Sequence, residues 1–296
     1  MRSILFVPGD QPEKLRKAFG SAADALILDL EDSVAPANKE AARRTVLAFL
    51  QDHDDAPDPP PLYVRINGLD TKLADGDLDV VMTGAPDGIV LPKAAGGSDI
   101  ALLDARIAVR EALHGLPDGA TQILAIATEG AAALFRLGTY AGSSPRLAGL
   151  AWGMEDLSAD IGAETGRADG EWTGPATLAR NLCLFGAAAA GVDAIDTVYT
   201  DFRDLEGLKR ECAIAARDGF SGKLAIHPDQ ATIINEAFTP SAEAVARAEK
   251  IVEAFSLFGD AGVTSLDGQM LDRPHLKAAE RLLARARRWQ QKHPSD

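Results

Sequence analysis

Two apolar segments of this chain end on carboxylates. "QILAIATE" (122–129) closes on Glu129, and "LAGLAWGMED" (147–156) closes on Glu155 and Asp156. Ionised carboxylates only accept hydrogen bonds. Two of them on neighbouring strands would hold a hard divalent cation, with water and substrate oxygens completing its shell. Magnesium is the expected ion and manganese the alternative. In the competing structural reading, one carboxylate caps a following helix or pairs with Arg65. Glu155 is a confounder, because alternation along a strand would point it away from Asp156. Arg65 lies in "LYVRIN" (62–67), a strand otherwise fit for burial, where a guanidinium needs an anionic partner or a ligand. A salt bridge to Glu31 or Asp32 satisfies that need structurally. An oxyanion stabiliser facing a developing enolate satisfies it functionally, and both hold if a carboxylate orients the arginine from behind. Lys93 ends "GIVLPK" and could form a Schiff base or pair with a carboxylate or phosphate. His227, in "AIHPDQ", is one of five histidines, and those at 53, 114, 275 and 293 show no metal-ligand spacing. Zinc is therefore unsupported, and a lone histidine before proline can simply satisfy a backbone carbonyl.

For these groups to meet, the fold must gather strand ends. Eight short β-branched or leucine-rich runs alternate with alanine-rich segments of helical periodicity. They are 3–9, 25–32, 62–67, 88–93, 122–129, 147–156, 194–201 and 223–229. This is the pattern of a parallel sheet covered by helices. Eight units predict a closed (β/α)8 TIM barrel, although an open doubly wound sheet shares the alternation. In either fold the carboxyl ends of the strands face the ligand, which would assemble Glu31, Asp32, Arg65, Asn67, Lys93, Glu129, Asp156, Asp201 and His227. The proline-rich 57–61 reads as a loop, so residues 1–240 form one barrel domain. The rest, 241–296, begins with a helix capped by Ser241, its apolar residues spaced by three and four, and exceeds what eight units need.

Composition narrows the partners. Of 296 residues, 46% are apolar and 25% charged, as in an ordinary globular protein, with disorder expected only in "DHDDAPDPPP" and the last few residues. Thirty basic against 44 acidic side chains leave a net charge of −14, which repels nucleic-acid backbones and anionic lipid surfaces. An anionic small molecule stays admissible where a few cations gather. No apolar run is long enough to span a membrane, and "ILFV" meets Pro8 and Gly9 too early for a signal peptide. Cys183 and Cys212 read as passive core residues, so a cytoplasmic location is expected. There is no phosphate-binding or dinucleotide fingerprint; "GFSGKL" comes nearest and lacks the spacing.

Taken in order, "RSILFVPGDQPEKLRK", "ALILDLEDSVAPANKEAAR", "YVRIN", "VLPKA", "ATEGA", "AWGMEDLSADIG", "DTVYTDFRDLEGLKRECAIAARDGFSGKLAIHPDQ" and "GQMLDRPHLKAAERLL" resemble the HpcH/HpaI aldolase and citrate lyase β-subunit family over nearly the whole chain. The resemblance implies a homotrimer of barrels, with Mg2+ on Glu129 and Asp156 and Arg65 at the thioester end of the substrate. It implies coenzyme A contacts from the loop between Phe6 and Lys17 and from the segment 38–43, with Asp32, Ile226 and His227 lining the same pocket. "NKEAAR" supplies few cations for the phosphates, so Lys39, Arg43 and Lys17 would serve. The extension resembles the family's C-terminal lid, whose aspartate, here Asp272 rather than the nearby Asp267, enters an adjacent subunit as the acid-base group. The implied activity is Mg2+-dependent cleavage of a malyl-, citramalyl- or citryl-CoA type 3-hydroxyacyl thioester into acetyl-CoA and a 2-oxo acid. Three alternatives stay open: a malyl-CoA-type thioesterase, a Schiff-base aldolase using Lys93, and a subunit acting on an acyl-carrier-bound substrate.

Overall fold

All eight predicted runs form parallel strands in the computed structural model, and each stops short of its predicted carboxyl end. Residues 1–53, 59–168, 170–257 and 263–292 are described, with side chains through 287. Parts of the two segments expected to be disordered, 54–58 and 293–296, lie outside that set. The first six strands are β1 (Ser3–Pro8), β2 (Ala25–Asp29), β3 (Leu62–Arg65), β4 (Gly88–Leu91), β5 (Gln122–Ile126) and β6 (Leu147–Ala151). A short antiparallel hairpin follows, β7 (Arg167–Ala168) with β8 (Glu171–Trp172). Then come β9 (Asp193–Asp196) and β10 (Gly222–Ala225), and β10 pairs with β1 to close the barrel. The open-sheet alternative is thereby excluded.

The period of two along each strand explains both the core and the site. Ile4, Ile27, Tyr63, Val90, Leu124, Ala151, Ile195 and Leu224, one from each barrel strand, fill the interior. The barrel is thus a packed core rather than a pore. One step further toward the carboxyl ends, the same face carries Phe6, Asp29 and Arg65. The β2–β3 register sets Asp29 beside Arg65. On the outer face, the buried Lys223 ammonium lies 2.8 Å from Asp196 and 2.6 Å from Glu211 of the helix Leu205–Asp218. The Trp152 indole N–H donates to Asp196 at 2.6 Å, tying down the chain just ahead of Gly153. Two carboxylates offset the desolvation of this lysine, as a buried charge requires.

The chain divides into two compact units, Met1–Asn235 and Glu236–Asp296, at a point inside the helix Pro228–Phe238. In the second unit the Ser241 hydroxyl accepts from Ala244 N–H at 3.2 Å, capping the helix Ala242–Leu257. Next comes an antiparallel hairpin, β11 (Val263–Leu266) with β12 (Gln269–Asp272), and then the helix Arg273–Lys292. Asp267 and Gly268 form its two-residue turn at φ 51° and 78°. An Asp-Gly pair suits that left-handed turn, so Asp267 has a structural task. Ile251, Phe255, Leu271 and Leu283 make the unit's own small core.

Candidate active site

A cavity of about 360 Å3 opens at the carboxyl ends of the barrel strands. Asp29, Asp32, Arg65, Glu129, Glu155 and Asp156 give it a charged side, while Phe6, Val198, Leu224 and Ile226 give it an apolar one. Because the strands end early, only Asp29 and Arg65 of these charged groups stand on strands, and Asp32 and Glu129 stand on the loops that follow. Glu155 and Asp156 both lie in the first turn of the helix Glu155–Ile161 and both line the cavity. The expectation that strand alternation separates them is therefore corrected: a helix, not a strand, carries the pair.

Arg65 is held from behind by a residue that the sequence reading passed over. Its Nε and Nη2 donate to the two oxygens of the buried Asp29 at 2.7 and 2.6 Å. Its Nη1 lies 3.0 Å from Glu31 Oε2, an ion pair without hydrogen-bond geometry. Its Cζ stands 4.7 Å from the centre of the Phe6 ring. These contacts leave guanidinium donors free on both terminal nitrogens. Burial alone would raise the Asp29 carboxyl, but its bonds to Arg65, Ser33 N–H and Glu31 N–H prevail and hold it below the ordinary carboxylate value. Burial raises Glu31 and Asp32 adds to the rise, against the pull of Arg65 and Lys93.

The Lys93 ammonium donates to Glu31 Oε1 at 2.6 Å and lies 3.5 Å from Asp32 and 3.6 Å from Asp156. Burial alone would lower its pKa, but the Glu31 bond and the three carboxylates raise it above the ordinary lysine value. A Schiff base needs the neutral amine, so this environment opposes that chemistry. The pairing alternative is the one the structure displays. Glu129 is buried and accepts the Lys93 backbone N–H at 2.5 Å. Burial, abetted by Glu31 and Asp156, pushes its pKa to about 8.

These features fit a divalent cation at Glu129 and Asp156. Burial first, then Glu31 and Asp156, hold the Glu129 carboxyl up, a rise that a cation beside it would oppose. A Cβ on Gly153 would sit 3.3 Å from Glu129 Cγ and 3.5 Å from Ile126, so glycine leaves the carboxylate room. Among the described residues no cluster of three or more His, Cys, Asp or Glu could hold a metal. Two protein ligands suit an ion that keeps much of its shell for water and substrate, as magnesium does.

Other expectations need revision. The Lys39 ammonium donates to Leu30 O, Glu31 O and Asn67 Oδ1 at 2.7 to 2.9 Å. Arg43 donates to Asp77 Oδ1 at 2.7 Å and Leu73 O at 3.2 Å. Acceptors within the protein thus bind both expected phosphate cations into the fold. Lys17 stays exposed on the helix Pro12–Phe19. Ile226 lines the cavity, but neighbouring His227 stacks on Phe202 with ring centres 5.2 Å apart, and its Nδ1 accepts from Asp229 N–H. Asp201, also expected among the gathered groups, caps a turn by accepting Arg203 N–H. Asp272 belongs to the second unit and lies 2.5 Å from His275 Nδ1. The i, i+3 spacing at a helix start was the available signal for that partner.

The barrel with its cavity carboxylates and carboxylate-clamped arginine is that of a known class. A family model for HpcH/HpaI aldolase/citrate lyase matches residues 2–228, and the chain belongs to that family. It is 35% identical over 285 residues to citrate lyase subunit beta of Leuconostoc mesenteroides subsp. cremoris, covering 95% of this chain and 92% of the relative. It is also 35% identical over 292 residues to (3S)-malyl-CoA thioesterase of Cereibacter sphaeroides, covering 96% and 94%. Among solved structures, CitE of Mycobacterium tuberculosis in complex with magnesium, acetoacetate and coenzyme A superposes with a TM-score of 0.75 at 34% identity, covering 96% of this chain and 97% of that one.

Proposed function

We propose that this protein is a Mg2+-dependent carbon–carbon lyase that cleaves a 3-hydroxyacyl-CoA thioester into acetyl-CoA and a 2-oxo acid. The observation that carries the reading is the pairing, in one cavity, of an open two-carboxylate site with an arginine whose guanidinium is fixed by Asp29. A bound magnesium supplies Lewis acidity to the hydroxyl and carboxylate oxygens of a malyl-, citramalyl- or citryl-like substrate. Glu129 and Asp156 hold it; manganese is the substitute.

The substrate hydroxyl gives up its proton, its oxygen pair forms the carbonyl of the 2-oxo acid, and the broken carbon–carbon bond leaves its pair as a thioester enolate that regains one proton at carbon. Stabilising that charge is the main catalytic task. The free donors of Arg65 face it, pre-oriented by Asp29, so little reorganisation accompanies the reaction. Asp272, supplied by the C-terminal unit of a neighbouring subunit in a homotrimer, protonates the enolate carbon or removes the methyl proton in the reverse direction. That lid also excludes water, which favours cleavage over hydrolysis. Phe6, Lys17, Asp32, Ile226 and His227 border the coenzyme A path, whereas Lys39 and Arg43 shape it from within the fold. Buried free thiols at Cys183 and Cys212 accord with a reducing, cytoplasmic setting, and among the described residues no helix is long and apolar enough to cross a membrane.

The likeness to a malyl-CoA thioesterase supports a second reading, hydrolysis on the same scaffold. Incubating the protein with malyl-, citramalyl- and citryl-CoA, with and without EDTA, and weighing every product separates the two. Acetyl-CoA plus a 2-oxo acid, lost on chelation and restored by Mg2+, supports the lyase; free CoA plus a hydroxy acid supports the thioesterase. Silence on all three overturns both for free thioesters and points to a carrier-bound substrate.

A further inference from the structure

Lys93 stands at φ +53°, in the left-handed region that an unbranched or branched L side chain enters only at a cost. Such strain persists where the surroundings over-determine it. Here both ends of the residue are held. Its backbone N–H points at Glu129 Oε2, 2.5 Å away on the loop after β5, and its ammonium is anchored 2.6 Å from Glu31 on the loop after β2. Glu31 in turn lies 3.0 Å from Arg65 Nη1. Next in the chain, Ala94 N–H bonds to Ile126 O at 3.3 Å, fixing the turn from the other side. Relaxing Lys93 to negative φ would swing its N–H and its side chain apart, so they could not both keep their partners.

We infer that Lys93 is a positioning residue for Glu129, acting through its left-handed main chain, with the Glu31 clamp keeping the strained conformation in place. The inference rests on the reading of Glu129 as a metal ligand. It assigns Lys93 no contact with the reacting atoms and no covalent step. The lysine instead links the two halves of the site: the carboxylate that would hold the metal and the arginine that would meet the enolate.

The test compares Lys93→Gly with Lys93→Met by titrating Mn2+ into each chelator-treated protein and reading free Mn2+ by electron paramagnetic resonance. Both variants lack the ammonium, so any change in its competition for Asp156 cancels between them. Glycine adopts positive φ without strain and methionine does not. The glycine variant should therefore bind Mn2+ about tenfold more tightly than the methionine variant, the scale of the left-handed penalty. Lys93→Asn, a residue that tolerates this conformation better than most, should fall between them, and it replaces methionine in the comparison if that variant does not fold. Equal affinities within twofold, or tighter binding by the methionine variant, overturn the inference. Failure of the unaltered protein to bind Mn2+ at all is a separate result, which removes the metal reading itself.

Discussion

Glu129→Gln should make the metal-free protein more stable while abolishing metal binding. In the fold this carboxyl has a pKa of about 8 against an ordinary 4.5. A raised carboxyl contributes no penalty below its unfolded value and loses stability as pH climbs toward its folded one. For this pair of values the loss is about 1 kcal/mol at pH 5, about 3 kcal/mol at pH 7, and constant above roughly pH 8.5. Glutamine keeps the shape and can still accept the Lys93 backbone N–H, but it does not titrate. Urea unfolding in EDTA should therefore show the variant gaining on the unaltered protein by about 2 kcal/mol between pH 5 and pH 7, because other titrating groups cancel in the difference. Mg2+ at 1,000 times its dissociation constant should reverse the order at pH 7, since it adds about 4.1 kcal/mol to the protein that binds it, more than the loss of about 3 kcal/mol. A pH-independent difference, or a variant less stable than the unaltered protein at pH 8 in EDTA, would refute the burial argument.

Other outcomes follow from the same geometry. Arg65→Lys cannot reproduce the two-pronged contact with Asp29, and it should lower kcat by about 10²- to 10³-fold with Mn2+ affinity unchanged, as steady-state kinetics and titration would show. Asp272→Asn should cost turnover roughly 10²-fold or more while substrate and metal still bind; full turnover in that variant contradicts its acid-base role. Borohydride added during turnover should leave no substrate adduct on Lys93 by peptide mass, because its ammonium is held by Glu31.

The barrel was legible because every strand announced itself as an apolar run between helical segments, and the register of eight such units leaves few ways to close a sheet. What the runs could not mark was their carboxyl ends. Glu129, Asp156 and Lys93 look like strand residues in sequence, but Glu129 and Lys93 stand on the loops after β5 and β4, and Asp156 stands in the first turn of a helix. Asp29 was hidden by its neighbours: "DLED" draws attention to Glu31 and Asp32, whereas the period of two from Ile27 singles out Asp29 as the inward residue. The Lys39 and Arg43 contacts depend on carbonyls and carboxylates 8 to 34 residues away, which no local pattern reveals. The β11–β12 hairpin was readable from its Asp-Gly pair, the short-range turn signal that went unused.

Bond formation in the reverse direction tests the central claim most directly, since a hydrolase has no route to it. The protein would be incubated with Mg2+, acetyl-CoA and, in turn, glyoxylate, pyruvate and oxaloacetate, and the thioesters weighed. The account predicts a new 3-hydroxyacyl-CoA equal in mass to acetyl-CoA plus one of these acids, absent when EDTA is added. Acetate and free CoA with no such adduct would contradict it.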